Sequence, residues 1–426
     1  MNRIDLLSGA LPTVLLALAA VAVLVLVVGL RRRLFVFLPA TVVAAVLLTL
    51  LFRYVAEDVW ELWEPTDAEL YYAIGAGTLG VLLGLAQLVA GHGWVQRSAG
   101  LACAVVIAVA AGGFVNIHFG SYPTIGSLFG DVTVRIFGLP PPAAISARAV
   151  TERTWAPPDD MPEAGRISRV HIPAARSRYA AGAAYVYLPP AYLSSRRPEL
   201  PVLVLLHGDP GSSLDWVNKG VQDQLDAFAR SHHGLAPIVI MPDLSGDGGR
   251  VPLCLDSDVG RSATYLAEDV PRWAQRVLGA GRSGARQWAI AGFSYGGTCS
   301  VQLAVNHPTT YPTFLDLLGE DRPASHKSIS TIANEYFGGK ASRFSEQNAL
   351  DVLGSGRRSY EGSAGVVVVG ADDENYGDEG RRIHTALVAA GVDARLEVVP
   401  GSHTWNTWQP ALTDNLPWVA TRLGLL

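Results

Sequence analysis

Four apolar stretches in the first 120 residues limit what this chain can fold into. They run from Leu11 to Leu30, Leu34 to Phe52, Leu70 to Ala90 and Gly100 to Phe119. Each is close to the ~20 residues that an α-helix needs to cross the hydrocarbon core of a bilayer. The alternative for each stretch is a helix buried in a soluble core. We predict four transmembrane helices within residues 1–120.

The charges between these stretches predict how the helices are oriented. Positively charged loops stay in the cytoplasm, and Arg31, Arg32 and Arg33 directly follow the first stretch. The loop after the second stretch contains six acidic residues against Arg53 alone, so it is expected outside. The first stretch is too long for a cleaved signal peptide. We therefore expect a multi-pass protein of the cell membrane with both termini, and everything after Phe119, outside the cytoplasm.

Charge and cysteine content exclude several classes of partner. The net charge is −5 and no long basic run exists beyond the arginine triplet, which argues against nucleic-acid binding. No C-x-x-C or H-E-x-x-H spacing occurs, so neither a metal nor a cofactor is expected. Of the three cysteines, Cys103 lies in the fourth apolar stretch. Cys254 and Cys299 lie in the part expected outside, where oxidation is permitted, and a disulfide between them is a hypothesis.

The remainder of the chain divides into a linker and one large domain. Residues 121–165 are rich in Pro, Gly and Ala and are predicted to be a linker. Beyond them, β-rich runs alternate with helix-like segments, a pattern typical of a mainly parallel sheet with helices on both faces. We predict an α/β domain over residues 166–426. Strands are predicted at residues 184–188, 202–206, 238–241, 287–291, 314–318, 365–369 and 395–399, and helices at 222–230, 263–277, 298–306, 376–390 and 411–423.

One short motif in this domain predicts a nucleophile. Residues 291–297 read Ala-Gly-Phe-Ser-Tyr-Gly-Gly and contain the G-x-S-x-G pattern around Ser294. In a chain with 44 glycines this pattern is weak evidence alone, but a predicted strand precedes it and a predicted helix follows it. A sharp turn at that junction lifts the serine hydroxyl above the sheet.

A serine hydroxyl needs a neighbouring base, and the base needs an orienting acid. In sheets of this kind the chain order is Ser, then Asp or Glu, then His. The histidines after Ser294 are His307, His326, His384 and His403. Only His403 lies in a loop directly after the last predicted strand, and we predict it to be the base.

The acid is expected at the end of the preceding strand. Residues 366–370 form an apolar run that leads into Asp372, Asp373 and Glu374. We favour Asp373, with Asp372 as the alternative. The amide of Tyr295, directly after the nucleophile, and that of Asp209, in the glycine-rich loop after the strand 202–206, are predicted to stabilise an oxyanion.

Several of these segments together resemble a known family. Tyr187-Leu-Pro-Pro, Leu205-Leu-His-Gly with Trp216 downstream, the motif around Ser294, and Tyr336-Phe-Gly-Gly resemble the esterase D family of α/β-hydrolases. That family includes feruloyl esterases, S-formylglutathione hydrolases and mycolyltransferases. The resemblance covers residues 167–426 and implies an α/β-hydrolase fold with a Ser294–Asp373–His403 triad.

Three functions are compatible with these observations. The first is a membrane-anchored serine esterase outside the cytoplasm, with a lipid or cell-envelope ester as substrate. The second is an envelope acyltransferase of the mycolyltransferase type. It is motivated by Trp405 and Trp408, which could wall a site for sugars or acyl chains or could be plain core packing. The third is an inactive binding module. The sequence does not predict the oligomeric state.

Overall fold

The computed structural model describes residues 4–56, 68–129, 134–141, 147–246, 251–374 and 376–426. The chain divides into two compact units, Met1–Asp131 and Val132–Leu426. Each unit is described separately below.

The described part of the first unit contains four long helices. They are α1 Ala10–Leu30, α2 Leu34–Tyr54, α3 Ala68–Ala90 and α4 Trp94–Phe119, followed by the short α5 Ile125–Leu128. Each of the four is long and apolar enough to cross a membrane. Between 11% and 28% of their most apolar windows is buried, so most of this apolar surface faces outward. Outward-facing Leu and Val side chains suit a lipid environment, and the four predicted helices are confirmed.

Both ends of this unit are held by hydrogen bonds between distant segments. The N–H of Leu6 donates to the carbonyl of Pro123 at 2.9 Å, and the N–H of Ile125 donates to that of Ile4 at 3.1 Å. The chain therefore enters and leaves the four-helix unit at the same end. The Arg33 guanidinium, after α1, donates to the carbonyl of Ala90 at the end of α3.

The second unit contains the predicted α/β fold. In its described residues, nine strands form one sheet: β1 Ile136–Phe137, β3 Arg166–Val170, β4 Ala184–Leu188, β6 Val202–Leu206, β7 Ile238–Met241, β8 Trp288–Phe293, β9 Thr313–Leu317, β10 Ala364–Gly370 and β11 Asp393–Val399. Their order across the sheet is β1-β3-β4-β7-β6-β8-β9-β10-β11. Only β4 runs antiparallel to its neighbours. β2 Ala147–Ala149 and β5 Pro198–Glu199 pair separately.

The helices of this unit lie between the strands in sequence. They are α6 Pro190–Leu193, α7 Asp215–Asn218, α8 Val221–Ser231, α9 Ser262–Thr264, α10 Val270–Trp273, α11 Tyr295–Asn306, α12 Ile329–Tyr336, α13 Ala341–Ser345, α14 Ala349–Gly354, α15 Gly377–Ala389 and α16 Trp405–Arg422. Two π-helical turns, Tyr265–Asp269 and Ala274–Leu278, extend α9 and α10 into one continuous helical segment.

The central strands position the functional site. Every residue of β6, β8 and β10 is buried, as expected for parallel strands covered by helices on both faces. The chain passes from β6 to β7 on one side and then to β8 on the other, so the strand order reverses between β6 and β8. Open α/β sheets bind ligands beyond the carboxyl ends of strands at such a point. Residues 207–209 and Ser294 follow these two strands directly.

Part of the segment predicted as a linker contributes to the second unit. β1 pairs in parallel with β3, Ile136 against Ile167. Trp155 is 8% exposed, and its indole N–H donates to the carbonyl of His233 at 3.0 Å. The Pro, Gly and Ala content of residues 121–165 concealed these apolar anchors, because composition averages over a segment in which single side chains are packed.

Candidate active site

The backbone at Ser294 has the left-handed conformation that a sharp strand-to-helix turn requires. β8 ends at Phe293, α11 begins at Tyr295, and Ser294 between them has φ +54°. A Cβ added at Gly292 would lie 2.3 Å from the carbonyl oxygen of Gly296. A Cβ at Gly296 would lie 2.6 Å from that of His207. Both glycines of the motif are thus required by close backbone approaches.

The predicted base and acid lie next to this serine. His403 Nε2 is 2.8 Å from Ser294 Oγ, and His403 Nδ1 is 3.1 Å from Asp373 Oδ2. When Nδ1 carries a proton it can donate to the carboxylate, and Nε2 can then accept the serine hydroxyl. Ser294 and His403 are 109 residues apart in the sequence, and the folding of the sheet brings them together. The arrangement can transfer a proton from the hydroxyl to the imidazole.

The neighbouring strands β10 and β11 bring the acid to the base. They pair in parallel with Gly370 against Val399, so the loops that follow them start side by side. Asp373 is 7% exposed, and its second oxygen, Oδ1, accepts the N–H of Tyr376 at 3.0 Å. The carboxylate is therefore held by two donors from different segments.

The alternative acid, Asp372, has a different position. Its N–H donates to the carbonyl of Gly401 at 3.1 Å, and the N–H of Gly401 donates to Asp372 Oδ2 at 3.1 Å. Gly401 has φ +111°, a conformation that favours glycine. Asp372 thus fastens the loop that contains His403, while Asp373 contacts the imidazole itself.

The other predicted histidine candidates lie elsewhere. His384 Nε2 is 3.2 Å from the carbonyl oxygen of Ala394. His307 follows α11, and burial lowers its pKa. His326 is exposed in the loop after β9. Of the four histidines after Ser294, the structure brings His403 to the serine hydroxyl.

The two predicted oxyanion donors follow the adjacent strands β6 and β8. Tyr295 is the first residue of α11, where a backbone N–H has no acceptor within the helix and the positive end of the helix dipole lies. Asp209 lies in the loop after β6. This loop passes close to β8, since a Cβ added at Gly208 would lie 2.5 Å from the Phe293 ring. This loop is fixed by His207, whose Nε2 accepts the N–H of Leu244 at 2.9 Å.

A disulfide is attached to the helix that follows the predicted nucleophile. Cys254 and Cys299 are bonded, with their Cα atoms 5.4 Å apart. Cys299 lies in α11, one turn beyond Ser294, and Cys254 Sγ is 3.5 Å from the Tyr295 hydroxyl. The disulfide connects the segment before α9 to α11, the helix that begins after Ser294. Cys103 has a free, buried thiol in α4.

A buried carboxyl group that the sequence did not point to lies on β9, next to the strand that ends before Ser294. Asp316 on β9 pairs with Gly292 on β8 and is fully buried, and this burial raises its pKa to about 7. Its Oδ1 accepts the N–H of Gly319 at 2.8 Å, and its Oδ2 has no hydrogen-bond partner in the part of the chain that the structure describes. The next residue, Leu317, accepts the N–H of Ser294 at 2.9 Å. An Asp inside the apolar run 313–317 was the available signal.

Comparisons with known proteins show which proteins this chain is similar to. A family model described as "Putative esterase" matches residues 182–320, which include Ser294. An uncharacterized protein of Corynebacterium glutamicum is 34% identical over 330 residues, covering 75% of each chain. A ferulic acid esterase structure superimposes with a TM-score of 0.51 at 21% identity, over 61% of this chain and 99% of that one. An S-formylglutathione hydrolase from Agrobacterium tumefaciens gives 0.50 at 20% identity, over 62% and 97%.

Replacing Asp373 should suppress the reactivity of Ser294 far more than replacing Asp372. Asp373→Asn removes the charge that holds the His403 imidazole in the required tautomer, so the rate of Ser294 modification by a fluorophosphonate should fall roughly 10³- to 10⁴-fold. Asp372→Asn retains an oxygen that can accept the Gly401 N–H and should react close to the wild-type rate. Equal losses in both variants would contradict the assignment.

Asp316→Asn should stabilise the protein at neutral and alkaline pH. Burial raises the folded-state pKa of Asp316 from 3.8 to about 7. The protonated carboxyl therefore favours the folded state fully below pH 3.8, and this stabilisation is lost as the pH rises toward 7. The variant should gain up to about 4 kcal/mol over wild type between these limits. Tryptophan-detected unfolding at pH 5 and 8 measures this, with the exposed Asp393→Asn as control. A pH-independent difference would refute it.

Proposed function

The chain belongs to the esterase-like α/β-hydrolases, in one family with its C. glutamicum relative, and we propose that it is a membrane-anchored serine esterase. The observation that supports this most directly is the hydrogen-bonded series Asp373–His403–Ser294, with Ser294 Oγ 2.8 Å from the base. It lies at the reversal of strand order, where ligands reach such sheets.

The geometry supports acyl transfer through a covalent intermediate. Ser294 Oγ attacks the ester carbonyl carbon while His403 Nε2 takes its proton, and Asp373 stabilises the imidazolium. The amides of Asp209 and Tyr295 hold the oxyanion. The intermediate collapses, the C–O bond to the alcohol breaks, and His403 protonates the departing oxygen. Water, deprotonated by His403, then attacks the acyl-enzyme. The bond between the acyl carbon and Ser294 Oγ breaks, His403 returns the proton to that oxygen, and the carboxylic acid is released. The steps require no cofactor.

The four apolar helices support the anchor. The C. glutamicum relative matches a longer part of this chain than residues 132–426, so the match extends into the helical unit. The arginines after α1 favour an orientation with that end in the cytoplasm. A Cys254–Cys299 disulfide is typical of a compartment outside it. We therefore place the hydrolase unit outside the cytoplasm, where lipid and envelope esters are the nearest substrates.

The observation that motivated an acyltransferase is weakened by the structure. Trp405 and Trp408 are 8% and 7% exposed, and their rings pack on Phe293 with centroids 4.4 and 4.6 Å away. They are parts of the core and offer little surface to a sugar or an acyl chain. An inactive binding module would not need Ser294, His403 and Asp373 in hydrogen-bonding distance. Hydrolysis is therefore the function that we propose.

Ser294→Ala should abolish hydrolysis of short p-nitrophenyl esters by the full-length protein in detergent. Loss of the nucleophile removes the covalent route, so kcat/KM should fall by a factor of roughly 10⁴ or more. The matched control is Ser355→Ala, an exposed serine of the same unit, which should retain full activity and fluorophosphonate labelling. Hydrolysis that survives in Ser294→Ala would disprove the proposed nucleophile.

The oxidation state of the cysteines tests the proposed location. After acid trapping of thiols in intact cells, the denatured protein should take one polyethylene glycol maleimide, at Cys103, and three after reduction. Cys103 serves as the internal control because it reacts in both samples once the protein is denatured. A hydrolase unit facing the reducing cytoplasm would give three adducts before reduction.

A further inference from the structure

Tyr376 contacts two members of the Ser294–His403–Asp373 series at once. Its backbone N–H donates to Asp373 Oδ1 at 3.0 Å. Its ring lies beside the His403 imidazole, with centroids 4.4 Å apart and planes inclined by 37°. Trp408 provides a second aromatic contact to the imidazole, at 5.0 Å and nearly perpendicular. Tyr376 is 6% exposed and the His403 side chain is 23% exposed, so the ring contact is largely shielded from water.

Helix capping does not explain why a tyrosine occupies position 376. It is the N-cap of α15, where Ser, Thr, Asp or Asn is preferred because a side-chain oxygen can accept a free N–H of the first turn. Tyr376 makes no such side-chain cap bond. A tyrosine therefore occupies a position that suits another residue type, and its ring is directed to the imidazole.

The ring offers the imidazole something that an aliphatic side chain cannot. The face of an aromatic ring attracts a cation, and this attraction is stronger where water is excluded. His403 becomes a cation when it takes the proton of Ser294. Among the described contacts of the imidazole, the titratable groups that touch it are Asp373, Ser294 and the Tyr376 phenol. The aromatic face adds to the attraction that the Asp373 carboxylate exerts.

We propose that Tyr376 is a positioning residue that orients Asp373 through its backbone N–H and stabilises the His403 imidazolium through its ring. This inference rests on the proposed role of His403 as the base. Tyr376 acts through its two neighbours, and its ring is the part that substitution can test, because every variant keeps the backbone N–H.

The test compares Tyr376→Phe with Tyr376→Leu and Tyr376→Met in the full-length protein. Phe keeps the aromatic face, and the two aliphatic variants lose it while keeping apolar volume. In the aliphatic variants the acid limb of the kcat/KM profile should move to lower pH by about 0.5 to 1.5 units, since the imidazolium is less stable. The value of kcat should fall while KM changes little. Phe should match wild type in both respects.

A direct titration separates this inference from the proposed function. NMR of ¹³C-labelled histidine, with His403 assigned by His403→Gln, reports the titration midpoint of the imidazole whether or not esters are hydrolysed. A midpoint that falls in Leu and Met but not in Phe supports the proposal. An unchanged or raised midpoint in both aliphatic variants, or a fall in Phe as large as in Leu, would overturn it. A wild type that hydrolyses no ester and takes no fluorophosphonate refutes the proposed function instead.

Discussion

The left-handed turn at Ser294 is the constraint on which the site depends. β8 lies between β6 and β9. The turn that ends β8 brings Gly296 against the carbonyl of His207, which follows β6. The N–H of Ser294 donates to the carbonyl of Leu317 in β9. Contacts to both neighbouring strands thus fix one residue. Ser294 has φ +54° and ψ −128°, outside the small region at positive φ that non-glycine residues favour, so neighbouring structure must hold it there. Parallel pairing of the buried central strands provides that structure.

Much of this arrangement could be predicted from the sequence, because the signals were local. The strands 184–188, 202–206 and 238–241 have the predicted bounds, since each is a short apolar run between turn residues. The four long apolar helices follow from length and hydropathy alone. Ser294, Asp373 and His403 could be proposed because strand ends and chain order restrict where such residues occur.

What the sequence did not reveal depends on contacts between distant segments. The final helix begins at Trp405, six residues before the predicted start, because its first turn packs on Phe293. Tyr376 looked ordinary in the sequence, since its ring contacts an imidazole 27 residues away, and the burial of Asp316 follows from the strand register that pairs it with Gly292. The choice between Asp372 and Asp373 also required the pairing of β10 with β11.

Asp372 and Asp373 have different hydrogen-bond partners, and this difference affects which sequence changes the family can accept here. Asp372 is bonded in both directions to Gly401, and Asp373 directly after it contacts the imidazole. The number of residues from Gly370 to Asp373 is therefore fixed by these contacts. Exchange of a side chain disturbs one bond, whereas insertion or deletion of a single residue places the wrong carboxylate at each partner. Loops elsewhere on the surface can change in length, while this one is restricted to substitution.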